Sequence, residues 1–158
     1  MRFGLLAILL FCSLISTAQE KDEDLELQKN QILIQHDDTN KVLKIIKIGR
    51  KYLSVNYDTA LVLFQTAHQI SLKLDYTNGE IRAKQRIGNA YYLQNNFLKA
   101  ESFYKEALEK AIANDFKKLI ATGFRAKAAL KHESGRFEEG VLLLKKALLI
   151  HKETNDST

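Results

Sequence analysis

The sequence predicts an all-α protein, an α-solenoid in which about three helical hairpins stack into a right-handed superhelix. Two observations predict this fold class. Residues 81–115 carry small and aromatic side chains three or four positions apart, in two short segments separated by Asn95 and Asn96. Such spacing places those side chains on one face of each of two helices. A related pattern occurs forty residues earlier and forty residues later, which indicates a repeated structural unit.

The central hairpin shows the pattern most completely. Its pattern positions are Gly88, Tyr91, Phe97, Ala100, Tyr104, Ala107 and Leu108. Small residues are needed where two helices cross closely, and aromatic rings fill the space beside the crossing. This ordered set resembles the tetratricopeptide repeat. Two features of that family are absent, because Lys84 stands where a tryptophan-like residue is usual and the chain has no proline.

Shifting the pattern by forty residues aligns two further hairpins with the central one. The equivalent residues are Tyr57, Ala60, Phe64 and Ala67 in the first hairpin, and Phe137, Gly140, Leu144, Ala147 and Leu148 in the third. The predicted repeats cover about 38–76, 77–115 and 116–156. In the first repeat, Gly49 comes one position late. About three such hairpins are needed to bury a continuous core.

Polar residues at the joints predict where helices start and stop. The cluster 37–40, Asp-Asp-Thr-Asn, supplies N-caps for a helix predicted to run from about Lys41 to Ser54. Thr77 and Glu80 have the spacing of a capping box. Asn95 and Gly135 occupy equivalent turns and tolerate a left-handed backbone.

The first residues, 1–18, have the features of a secretory signal peptide, and the acidic segment 19–37 that follows predicts at most a short helix. Arg2 precedes an apolar run, and the small residues 16–18 form a cleavage site. We therefore predict an exported protein, periplasmic or secreted, with no stable membrane span after cleavage. A retained N-terminal anchor is the alternative, although the apolar run is short for a span. A lipoprotein signal at Cys12 is poorly supported because bulky Phe11 precedes it.

The resemblance to tetratricopeptide repeats implies a concave groove lined by the first helix of each hairpin. It places the predicted partner-binding residues on that wall: Arg82, Gln85, Asn89, Tyr92, Arg125 and His132. The same transfer adds Leu93, Thr122 and Ala129, and from the first repeat Val42, Ile45 and Tyr52. Arginines there would hold a carboxylate or an acidic peptide, and the alternative is that these are ordinary helix residues. The carboxylate clamp of some relatives is not predicted, because Ile45 and Gly49 stand where lysine and asparagine are needed.

The last predicted helix is apolar nearly all round. Its additional apolar residues are Leu142, Leu143, Leu149 and Ile150. A terminal repeat normally turns a polar face to water, so these side chains predict an interface with a partner or with a second copy of the chain. The sequence therefore predicts a homo-oligomer through the C-terminal helix as one alternative.

The sequence contains no recognisable catalytic pattern. Its four histidines are scattered, and neither an H-E-x-x-H pair nor a glycine-rich phosphate loop is present. The tightest metal-type cluster, His36-Asp37-Asp38, is explained by helix capping. We therefore predict no catalytic residues, no cofactor and no metal site. The formal net charge of +5 is mild and does not predict a nucleic-acid partner.

Residues 38–156 also resemble the extracytoplasmic tetratricopeptide regions of bacterial sensor histidine kinases and regulators. The stretches that carry this resemblance are YDTALVLFQTAHQISLKLD and GNAYYLQNNFLKAESFYKEAL. The resemblance implies a bacterial, non-catalytic scaffold for a protein or peptide partner, with a sensory role in signal transduction. The alternatives are an accessory subunit, a self-assembling structural protein of the periplasm and, last, an enzyme with an unrecognised site.

Overall fold

A computed structural model describes residues 22–155, and every regular element within that range is an α-helix. Helix α1 covers 22–33 and belongs to a unit of its own that ends at His36. The second unit begins at Asp37 and contains six helices. These are α2 (Thr39–Tyr52), α3 (Tyr57–Lys73), α4 (Thr77–Leu93), α5 (Phe97–Ala113), α6 (Lys117–Glu133) and α7 (Phe137–Asn155). The predicted signal peptide, 1–18, lies outside the described residues.

The six helices of the second unit form three hairpins that stack in chain order. Helix α2 packs on α3, α4 on α5 and α6 on α7, while α3 packs on α4 and α5 on α6. The first helices of the hairpins also touch each other, α2 with α4 and α4 with α6. They therefore stand side by side as one wall. The predicted all-α solenoid is confirmed.

Four of the turns between helices share one backbone geometry. Asp75, Asn95, Asp115 and Gly135 have φ angles of 50°, 57°, 51° and 71°. After each, the next backbone N–H donates to a carbonyl five residues back, as Asn96 N does to Tyr91 O at 2.9 Å. This hydrogen bond satisfies a free carbonyl at the end of the preceding helix. The left-handed turns predicted at Asn95 and Gly135 are confirmed. The four turns follow each other every twenty residues, so each repeat of two helices spans forty residues.

The predicted helix caps have different outcomes. Asp38 caps α2, since its Oδ1 accepts a hydrogen bond from Lys41 N at 2.6 Å. The predicted capping box is wrong, because α4 begins at Thr77 itself and its N-cap residue, Tyr76, makes no side-chain cap bond. The left-handed turn at Asp75 leads straight into the helix. Glu80 instead accepts a hydrogen bond from Lys110 of α5.

Glycines mark the places where paired helices cross. A Cβ atom added at Gly88 would lie 2.5 Å from Cε1 of the Tyr104 ring, and one added at Gly49 would lie 2.6 Å from Cε1 of Phe64. Both rings are therefore pressed against the backbone of the first helix in their hairpin. The close crossing predicted at Gly88 is present, and an equivalent crossing is centred on Gly49.

An ion-pair network joins α4 to α5. Glu80 is 6% exposed and pairs with Lys110 and, at 3.8 Å, with Lys84. Lys84 also pairs with Glu106 at 2.9 Å. Lys84, which replaces the tryptophan-like residue of the family pattern, therefore joins two helices by charge. His68 of α3 faces this network, and its Nε2 atom is buried without a hydrogen-bond partner in the part of the chain that the structure describes.

We expect His68 to make the fold sensitive to acid. Burial, followed by the charge of Lys84, lowers the pKa of His68 below its ordinary value of 6.5. The folded state therefore favours the neutral ring, so stability is present above about pH 6.5 and is lost as pH falls below it. A leucine occupies the equivalent position of the next repeat, Leu108. In urea unfolding at several pH values, His68→Leu should lose less stability on acidification than the wild type, and equal losses would contradict this account.

Candidate functional site

The wall of first helices borders a partly open cavity of about 840 Å³. Five helices of the second unit contribute side chains to it. Its lining consists of Arg50 of α2 and Leu53 just after it, Arg86, Asn89, Tyr92 and Leu93 of α4, Tyr104 of α5, Thr122, Arg125, Ala126, Ala128, Ala129 and His132 of α6, and Phe137, Gly140, Val141 and Leu144 of α7. We call this cavity the groove. Its volume lies in the range of sites that hold small molecules or short peptide segments.

Three arginines give the groove its charge, one from each first helix. Arg50 and Arg125 are exposed, whereas Arg86 between them is half-buried. Burial, and then the charges of Arg50, Arg82 and Arg125, lower the pKa of the Arg86 guanidinium. None of the three lining arginines forms an ion pair within 22–155, and the groove lining contains no aspartate or glutamate.

A short hydrogen-bond chain fixes the middle of the groove. In the amide orientation that satisfies every neighbour, Asn89 Oδ1 accepts from Arg86 Nη1 at 3.1 Å, and Asn89 Nδ2 donates to the Tyr104 hydroxyl oxygen at 2.9 Å. Nδ2 also donates to the carbonyl of Gln85 at 3.0 Å. Tyr104 is 3% exposed, and burial raises the pKa of its phenol above the ordinary range. The Tyr104 ring, which packs against Gly88, therefore also holds Asn89 in place in the groove.

Aromatic and apolar side chains border the rest of the groove. The Tyr92 hydroxyl donates to Glu133 Oε1 at 2.6 Å, which links α4 to α6 and raises the pKa of Tyr92. The His132 and Phe137 rings meet edge to face with centroids 5.1 Å apart. Val141 and Leu144 of α7 continue this apolar side. The groove is therefore cationic along α2, α4 and α6 and apolar at α7.

Four of the six predicted groove residues line the groove, namely Asn89, Tyr92, Arg125 and His132. Arg82 does not line it, and its Nε atom donates to Asn78 Oδ1 at 2.6 Å instead. Gln85 is 4% exposed, and its amide donates to the carbonyl of Leu119 at 2.9 Å. Gln85 thus holds α4 against α6 and does not line the groove.

The first repeat contributes different residues from those predicted. Val42 and Ile45 are fully buried and Tyr52 is 6% exposed, so all three belong to the core. The groove residues of the first repeat are Arg50 of α2 and Leu53, the C-cap residue that follows it. Arg50 takes the place of Asn89 because Gly49 lies one residue closer to the start of α3 than Gly88 lies to the start of α5. A shift of one residue rotates a helix face by about 100°.

Two signals in the sequence would have found the missed arginines. Arg50 follows Gly49 as Asn89 follows Gly88, so aligning the two glycines places Arg50 on the groove wall. Arg86 lies four residues after Arg82 and three before Asn89, which puts it on the same helix face as Asn89. Tyr104 could not be found in this way, because it lines the groove from α5, the second helix of its hairpin.

The apolar side chains predicted at the end surface divide into two groups. Leu142 and Leu149 are 58% and 60% exposed, whereas Leu143 and Ile150 are half-buried. Leu148 is 54% exposed, although its equivalent Leu108 is covered by α6. Among the helices of the second unit, only α6 packs on α7. An oligomer through this helix stays a prediction.

Comparison with known proteins agrees with the geometry of the helices. Residues 54–113 match the tetratricopeptide repeat family model. The match covers the whole of α3, α4 and α5, and it supports a tetratricopeptide-repeat protein. No match to a curated protein was found. Tetratricopeptide repeats generally bind protein partners, so the matched segment supports a protein-interaction scaffold.

Proposed function

We propose that this protein is a non-catalytic scaffold that binds a segment of a partner protein in the groove. The observation that carries the proposal is the groove itself. It combines an apolar side with hydrogen-bonding groups and with arginines that form no ion pair within 22–155. Sites for extended peptides have this composition, in which apolar pockets supply contact area and polar groups fix orientation. The side chains that line it come from rigid helices, so the site is preorganised.

The size of the groove fits a short extended segment. Packed helices lie about 8–10 Å apart, so α2 and α6 are separated by about 20 Å. An extended chain spans about 3.3 Å per residue, which makes a segment of about six residues sufficient. Export from a bacterial cell and a role in signal transduction stay predictions from the signal-peptide features and from the resemblance described above.

Filling the groove should abolish binding without altering its charge. Ala129 lines the groove from α6, so we expect the larger side chain of Ala129→Trp to occupy the space of a bound segment. Ala113→Trp is the matched control, because Ala113 is exposed on α5 outside the groove. The purified proteins would be immobilised and exposed to a randomised hexapeptide library, and the retained peptides would be quantified by mass spectrometry.

We expect Ala129→Trp to retain at least about tenfold less peptide than the wild type, a difference of about 1.4 kcal/mol. Ala113→Trp should retain as much as the wild type. Circular dichroism would confirm that both variants are folded. Equal retention by the wild type and a folded Ala129→Trp variant would place binding elsewhere, and no retention by the wild type would contradict the proposed function.

A further inference from the structure

The groove contains a half-buried cation, Arg86, that has no counterion within 22–155. A guanidinium has five N–H donors and no acceptor. The Arg86 guanidinium is half-buried, and one of its donors is used by Asn89. No carboxylate pairs with it within 22–155, and its charged neighbours in the groove are Arg50 and Arg125. A partly buried cation beside two others is unfavourable until an anion reaches it.

Most other charged clusters in the fold contain their own counterions. Glu80 lies between Lys84 and Lys110, and Asp37 pairs with Lys41 and Lys73. The arginines of the groove differ because three successive hairpins contribute one each and none contributes a carboxylate to the lining. The charge that would balance them is therefore expected from a ligand.

Resting on the proposed function, we infer that the groove selects an acidic segment, with a carboxylate held between Arg86 and the arginines beside it and an apolar side chain against Phe137, Val141 and Leu144 of α7. The planar guanidinium matches a carboxylate in two parallel hydrogen bonds. Asn89 holds Arg86 in place through its Oδ1 atom, which limits the entropy lost when the ligand binds. The apolar side at α7 supplies contact area that a free anion could not use.

The carboxylate can come from an aspartate or glutamate side chain or from the C-terminus of the partner. Both have the same chemistry at Arg86. Two hexapeptide libraries separate them, one with free C-termini and one with amidated C-termini. Retention of acidic peptides from both libraries identifies a side-chain carboxylate, and retention from the free-acid library alone identifies a chain terminus.

The decisive comparison is between Arg86→Gln and Arg82→Gln. Both substitutions remove one positive charge from the same helix, one turn apart, but only Arg86 lines the groove. Glutamine at position 86 keeps a side-chain N–H donor for Asn89. We expect Arg86→Gln to retain acidic peptides at least about tenfold less well. Arg82→Gln should bind like the wild type, apart from a small effect of net charge.

A second readout separates binding from a structural role. Because Arg86 is unpaired among like charges in the ligand-free protein, Arg86→Gln should raise the melting temperature by about 1–3 °C while it weakens binding. If Arg86 merely supported the fold, its substitution would lower both the melting temperature and peptide binding. A fall in melting temperature together with unchanged binding would overturn the inference.

The library result also distinguishes this inference from the proposed function. Enrichment of aspartate, glutamate or a free C-terminus, lost in Arg86→Gln, supports both. Retention of peptides with no acidic enrichment, still blocked by Ala129→Trp, would overturn the acidic selectivity and leave the groove as the binding site. Failure of the wild type to retain any peptide would overturn both.

Discussion

Phe64→Ala is expected to lower the free energy of unfolding by about 3–5 kcal/mol. Phe64 is fully buried, and its ring lies directly against the α2 backbone at Gly49. Its removal therefore leaves a cavity at the centre of the first hairpin, which is the least regular of the three. Since small domains are stable by about 5–15 kcal/mol in total, the variant should be close to unfolding at room temperature.

Urea unfolding followed by circular dichroism would measure this loss, with Phe137→Ala as the matched control. Phe137 is 57% exposed at the start of α7, so its truncation should cost less than about 1 kcal/mol. Comparable losses in the two variants would show that the first hairpin does not depend on the packing of Phe64.

Gly88→Ala is expected to destabilise the central hairpin, and Tyr104→Leu is expected to relieve most of that loss. The new Cβ would lie 2.5 Å from the Tyr104 ring, and such overpacking costs about 1–3 kcal/mol. The third repeat has Ala128 and Leu144 at the two equivalent positions, so an alanine occurs there together with a leucine in place of the tyrosine. The smaller side chain leaves room for the methyl group.

A double-mutant cycle would measure this coupling in free energies of unfolding. We expect the double variant to be more stable than the sum of the single losses predicts, by about 1 kcal/mol or more. Tyr104 also bonds Asn89 in the groove, so Gly88→Ala should weaken peptide retention as well. Additive losses in the cycle would mean that the glycine and the ring do not constrain each other.

The sequence predicted the parts of the fold that depend on local spacing. Helix periodicity and left-handed turn residues are properties of a few neighbouring positions, and Asn95 and Gly135 adopt the predicted backbone. The capping box failed because α4 begins at Thr77 itself, one residue earlier than a cap at Thr77 requires. Glu80 pairs with Lys110 on another helix, thirty positions away, and nothing local distinguishes that carboxylate from a cap.

The groove was only partly predictable, because side-chain direction depends on helix rotation. In α6 the period of forty holds, and Arg125 and His132 line the groove as predicted. In α2 a difference of one residue brings Arg50 to the wall, while Val42 and Ile45 lie in the core. The burial of Arg86 depends on how the helices pack, so no single stretch of sequence could reveal it.

The most direct test of the central claim, that the groove binds the partner segment, is a nuclear magnetic resonance titration. The isotope-labelled protein would be titrated with the hexapeptide pool that it retains, and amide shifts would be followed along the chain. We predict shift changes concentrated at groove residues such as Arg86, Asn89, Arg125 and Phe137, with few changes on the outward faces of α3 and α5. Changes confined to those outward faces or to Leu142 and Leu149 of α7 would contradict the account.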